Sequence, residues 1–101
     1  MGYMTVINEK IDYCLSQEIS GSRSKFPKNK YKLAALVEEV GELAQALIDH
    51  SRSETTTEHV FKEAIQVAAM ALRIAEEGSA EFPYKYNDSC YREFKPTSNS
   101  R

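Results

Sequence analysis

Apolar positions along the chain fall into three helical patterns followed by a tail without period. Met4, Ile7, Ile11, Cys14 and Leu15 recur at helical spacing, and Ile19-Ser20-Gly21-Ser22 closes the pattern with turn residues, which predicts a first helix over 4–19. The basic, proline-containing loop GSRSKFPKNK comes next, and Asn29 is a candidate N-cap for a second helix that meets no breaker except Gly41 before Ser51. After the polar connection SRSETTT, Thr55 with Glu58 three positions on forms a candidate capping box for a third helix, which Gly78 stops. Two long helices joined by so few residues pair antiparallel as a hairpin. From Ser79 onward aromatics mix with Pro, Asn, Asp and Ser, and Asn87-Asp88-Ser89 reads as loop. The fold class predicted is all-α: a helical hairpin plus an N-terminal helix in a single domain over 1–95, with 96–101 a disordered tail.

The faces of the two long helices carry more information than their lengths. With Leu33 at zero and about 100° per residue, Leu36, Val37, Val40, Ala44 and Leu47 all fall within about 60° of it, a stripe that predicts core. The opposite face holds Ala35, Glu39, Glu42 and Ala46, with Glu38 and Asp49 beside them. A solvated face carries long polar side chains at every turn, whereas this one flanks its acids with alanines. On the third helix apolar residues cover most of the circumference and leave one narrow stripe of His59, Glu63, Gln66, Met70 and Arg73. A helix apolar around most of its girth is buried on several sides, so a homodimer or homotetramer is expected to complete a four-helix-bundle core.

Charge and cysteine usage narrow the partners. Thirteen Lys plus Arg against 15 Asp plus Glu give 101 residues a net charge of -2, which argues against a fold built to neutralise nucleic-acid phosphates, and no nucleic acid is expected as a partner. Any anionic ligand must be held locally, by a few side chains or by metal. Cys14 and Cys90 form no CxxC and no His–Cys cluster, so neither zinc nor a disulfide framework is predicted. The N-terminus lacks a basic start followed by an apolar run, and no segment has the roughly 18 apolar residues of a membrane span. A cytoplasmic protein with no membrane partner is the expectation.

If the hairpin sets its polar stripes face to face, Glu39 and Glu42 at i, i+3 approach Glu63 and Gln66 at i, i+3. Carboxylates crowded in a partly dry groove repel one another and take up protons unless a cation neutralises them. Hard oxygen donors select Mg²⁺, or Mn²⁺, over zinc. Mg²⁺ keeps waters and binds substrate phosphates, so the expected substrate carries a polyphosphate.

Glu38-Glu39-x-x-Glu42, then twenty residues, then Glu63-x-x-Gln66, resembles the EExxE and ExxD signature of the MazG-like nucleotide pyrophosphohydrolases, the all-α NTP pyrophosphatases. LAALVEEVGELAQAL is similar to that family's first motif and FKEAIQVAAMALRIAEEG to its second, so the resemblance covers residues 24–78. It implies a four-helix assembly that uses Mg²⁺ to hydrolyse a nucleoside triphosphate to the monophosphate and pyrophosphate. By position it implies Glu39, Glu42, Glu63 and Gln66 as metal ligands, and Glu38 with Glu39 as the catalytic carboxylates, Glu38 binding metal or orienting the attacking water. Gln66 departs from the signature's aspartate: an amide offers a neutral oxygen but neither charge nor a base. Arg23, Lys25, Lys62 and Arg73 are candidates to hold outer phosphates, and Tyr31 or Phe26 to stack on a base. Two rivals follow from the same residues. A di-iron oxidase needs an ExxH pair, and neither His50 nor His59 has a Glu three positions before it. A non-catalytic dimeric binding or adaptor protein would keep the fold with chemistry disabled at Gln66.

Overall fold

A computed structural model of the chain describes residues 8–25 and 31–95. They form four helices: α1 Glu9–Lys25, α2 Lys32–Ser51, α3 Thr57–Glu77 and the short α4 Asp88–Arg92. Among the described residues there is no strand, only an isolated bridge between Ser79 and Phe82, so the chain is all-α. No described helix is long and apolar enough to cross a membrane. The expected start of the first helix at Met4, the Asn29 cap, Phe26 and the tail 96–101 lie outside the described residues.

The helix boundaries differ from the sequence pattern where tertiary bonds outweigh local preference. α1 runs through Ser20-Gly21-Ser22 to Lys25 instead of stopping at Ile19. Those residues are only weak helix formers, and α3 holds their turn: Arg73 Nη1 donates to Ser22 Oγ at 2.7 Å and Arg23 Nε to Glu77 Oε2 at 2.6 Å. Asn8 Oδ1 accepts from Lys10 N at 2.7 Å at the other end, and Glu9 and Asp12 there, with Arg23 and Lys25 in the last turn, complement the helix dipole. α2 is flanked by Tyr31, whose side chain makes no capping bond. Its first amide is satisfied from the far end of the hairpin, Lys32 N donating to Ser79 Oγ at 3.0 Å. α3 is capped by Thr56, one residue later than expected, its Oγ1 accepting from His59 N at 3.1 Å. Asn87, expected in loop, caps α4.

Gly78 ends α3 as expected, and its glycine is required twice over. Its φ of 79° lies in the left-handed region, and a Cβ there would sit 2.6 Å from Tyr84 O and 2.8 Å from Phe82 O. The tail therefore folds back on the helix end, where Lys32 Nζ donates to Gly78 O at 2.8 Å.

α1 and α2 each pack on α3 and make no close backbone approach to one another, so they straddle it with a groove between. The face of α2 that meets α3 is the acid-and-alanine face: Ala46 is buried at 1 % exposure and Ala35 half-buried. The stripe expected as core lies outside, with Val37 63 % and Leu47 53 % exposed and Leu33 and Val40 close behind. Alanines let two helices approach where a leucine stripe would hold them apart, and this leaves the large aliphatics uncovered within one chain. α3 is likewise inverted: its narrow polar stripe is inside from Glu63 onward, with Glu63 and Arg73 buried beside Ile65 and Ala69, while His59, Phe61 and Leu72 are exposed. Leu15, Ile65 and Ala69 make the small apolar core between α1 and α3, with Cys14 packed against it.

Candidate functional site

The antiparallel crossing of α2 and α3 brings three carboxylates together. One oxygen each from Glu39, Glu42 and Glu63 lies within 4.8 Å of the others, a grouping that no other described residues make. Glu39 and Glu42 stand one turn apart on α2; Glu63 reaches them from α3, buried to 8 % exposure. Glu63 Oε1 is enclosed and has no hydrogen-bond partner, while Oε2 lies 4.0 Å from His59 Nδ1. A buried polar atom without a partner costs on the order of 1–3 kcal/mol, more for a charged group, so this oxygen has capacity to accept a donor or a cation that the described residues do not supply.

The electrostatics agree. Burial, then a hydrogen bond with Glu42, then repulsion from Glu42, Glu63 and Glu38, together push the Glu39 carboxyl up to about 7 from its ordinary 4.5. The cluster holds more negative charge than its surroundings neutralise, and in the absence of a cation a proton compensates. Three hard oxygens with one of them orphaned suit a divalent cation of the Mg²⁺ class.

The cluster opens onto a groove of about 820 Å³ between α1 and α2, floored by Gln66 and Met70 of α3. Ala35, Glu38 and Glu39 form its α2 wall; Gln17, Glu18, Gly21, Ser22 and Lys25 form its α1 wall. Glu38 faces this groove yet stands outside the three-carboxylate grouping, so the four acids separate into three that converge and one that lines the approach.

The basic residues are distributed unequally. Lys25 lines the groove. Arg23 lies on the other side of α1, paired with Glu76 and Glu77. Arg73 is 1 % exposed and donates to both oxygens of Glu77 and to Ser22, so its guanidinium serves the α1–α3 junction and does not line the groove. Lys62 and Tyr31 are exposed and do not line it either. His50 bonds Thr57 Oγ1 through Nε2 at 3.0 Å across the hairpin turn.

Sequence reasoning passed over Gln17, Glu18 and Gly21. Gln17, Gly21 and Lys25 share a face at i, i+4, i+8, a signal hidden by the expectation that the helix ends at Ile19.

Comparison with protein-family models, with curated proteins and with solved structures finds no match.

Proposed function

We propose that this protein is a Mg²⁺-dependent nucleoside triphosphate pyrophosphohydrolase of the MazG-like kind, acting in the cytoplasm as a homodimer or homotetramer. The observation that carries the reading is the convergence of Glu39, Glu42 and Glu63 around a buried, unpartnered carboxylate oxygen at the edge of a groove large enough for a nucleotide. Glu39, Glu42 and Glu63 would hold Mg²⁺ or Mn²⁺, with the half-buried Gln66 contributing a neutral oxygen. Such an ion offsets phosphate charge and acidifies water in contact with it.

The chain's own residues do the rest by position. Glu38, exposed on the groove wall and outside the converging trio, is the carboxylate left to accept a proton from the attacking water. Water adds to the α-phosphorus, the bond to the bridging oxygen breaks, and pyrophosphate carries away the electron pair of that bond. Phosphoryl transfer asks a protein mainly for positioning and charge compensation, which two rigid helices crossing at small residues supply.

Oligomerisation is supported by what one chain leaves uncovered. Among the described residues the buried set includes Lys32, Glu63 and Arg73 but only Leu15 and Ile65 among large aliphatics. The radius of gyration, 16.3 Å, exceeds the roughly 13 Å of a compact domain of this length. A second copy laid on the Val37–Val40–Leu47 stripe and on Leu72 would close a four-helix core.

The test is a panel of NTPs and dNTPs with Mg²⁺ or Mn²⁺, read as pyrophosphate release. At least one nucleotide should yield equimolar monophosphate and pyrophosphate, with loss of turnover in EDTA. Absence of pyrophosphate across the panel would favour the adaptor reading, with Gln66 as its cause.

A further inference from the structure

We infer that the slot between Gly21 of α1, Ala35 of α2 and Met70 of α3 receives the base of the nucleotide, and that the absent side chain at Gly21 sets how large a ring it admits. The inference rests on the pyrophosphohydrolase reading of the neighbouring carboxylates.

The groove changes character along its length. Its acidic end is made by Glu39 and Gln66; one helical turn further, each of these is replaced by a small or soft apolar residue, Ala35 on α2 and Met70 on α3. α1 runs parallel to α3, its Leu15 packed with Ile65 and Ala69 and its Ser22 bonded to Arg73, so Gly21 comes within about one helical turn of Met70 on the same groove. A triphosphate drawn to the acidic end through a cation thus leaves its nucleoside over the apolar turn. A methionine thioether against a flat aromatic ring is a favourable contact.

Gly21 is the informative residue of this slot. Glycine inside a helix costs about 0.5–1 kcal/mol relative to alanine, and the usual return is close packing of another element. Here a Cβ would meet no atom of the described residues within 4 Å, so nothing among them needs the glycine. What its absence of side chain preserves is open volume in the groove wall. Gln17, one turn before it, offers a donor and an acceptor to a ring edge, and Glu18 beside it offers acceptors.

The series Gly21→Ala, Gly21→Leu tests this, with binding of the α,β-imido analogues of ATP, GTP, CTP and UTP measured calorimetrically in Mg²⁺, inorganic tripolyphosphate as the ligand without a nucleoside, and thermal melting alongside. Both variants should melt at or above the native temperature, since helix propensity rises and the added Cβ meets no described atom within 4 Å. Gly21→Leu should weaken the best nucleotide analogue on the order of tenfold or more, Gly21→Ala less, and tripolyphosphate binding should be unchanged. Nucleotide affinity unaltered by leucine, or lost equally for tripolyphosphate, overturns the slot while leaving the carboxylate site intact. If the native protein binds neither the analogues nor tripolyphosphate, the pyrophosphohydrolase reading itself fails, and the slot with it.

Discussion

Glu77, at the end of α3, and Glu39, on α2 where it packs against α3, are both partly buried, and their carboxyls are displaced in opposite directions. Glu77 accepts from Arg73 and Arg23, with Lys32 Nζ 3.7 Å away, and its carboxyl is held at about 2 chiefly by the Arg73 hydrogen bonds. Glu39 has only acids for charged neighbours, and burial with that repulsion puts it at about 7. The first region is a closed ionic lattice joining the C-terminal ends of α1 and α3 to the start of α2. The second is the same kind of side chain left uncompensated in the same scaffold. The charges of the first region are satisfied by the fold, whereas those of the second are the ones that the proposed function assigns to a cation.

The largest effect that separates the two regions is on activity. Glu63→Gln removes one converging charge and gives the orphaned position an amide, so pyrophosphate release should fall at least on the order of a hundredfold. The melting temperature without metal should hold or rise, because repulsion at Glu39 and Glu42 is relieved. A variant with native turnover would remove Glu63 from the site. Glu77→Ala is the mirror experiment: it leaves the buried Arg73 guanidinium without its principal partner and should cost about 3 kcal/mol in denaturant unfolding. That is the low end for a buried pair because Glu77 is a quarter exposed and Arg73 keeps Ser22. Metal binding, measured by calorimetry on the folded fraction, should not change. Loss of metal affinity with stability intact would reverse the assignment of the two regions.

Proton linkage gives a smaller effect of opposite sign at the two ends. Glu77 lies below its ordinary 4.5, so between about pH 4.5 and 2 the unfolded chain binds the extra proton; the stability it contributes is present above 4.5 and is lost as pH falls. Glu39 lies above 4.5, so its contribution is present below that value and is lost as pH rises towards 7. In EDTA the melting temperature should therefore decline between about pH 4.5 and 7, and Glu39→Gln should flatten that decline. Saturating Mg²⁺ should also flatten it, since a cation replaces the proton. A decline of the same size in Glu39→Gln would mean that the acidic cluster does not govern it.

Hairpin, helix order and the Gly78 stop were legible because each rests on local chemistry: periodicity, a capping hydroxyl, a residue free to take positive φ. The acidic convergence was legible as well, from acids set among alanines at matching i, i+3 spacing on two antiparallel helices. The core face of α2 was not. Hydrophobicity identifies which residues avoid water but not which chain covers them, and the Leu33–Leu47 stripe lies outside in a single copy. The surroundings of Arg73 were not legible for a related reason. On a helical wheel it belongs to the same stripe as Glu63 and Gln66, yet Glu77 one turn later and Ser22 across the interface take up its donors. The α1 wall of the groove was missed because Ser20-Gly21-Ser22 looks like a stop, and only bonds from α3 carry the helix through it.

Gly41 offers the smallest and most discriminating comparison, because it stands beside the acidic pair while belonging to the exposed side of α2. Among the described residues a Cβ there meets nothing within 4 Å. Its helical position costs about 0.5–1 kcal/mol relative to alanine with no return from packing in one copy. Gly41→Ala should therefore stabilise the protein by about that amount in urea, with turnover unchanged, since a methyl there reaches neither the cluster nor the groove. Sedimentation at matched concentration should show the same assembly as the native chain if the covering copy rests on Val37, Val40 and Leu47. Destabilisation instead, with the assembly shifting towards monomer, would locate the second helix directly over Gly41 and make that glycine part of the interface rather than a residue of the apolar stripe's margin.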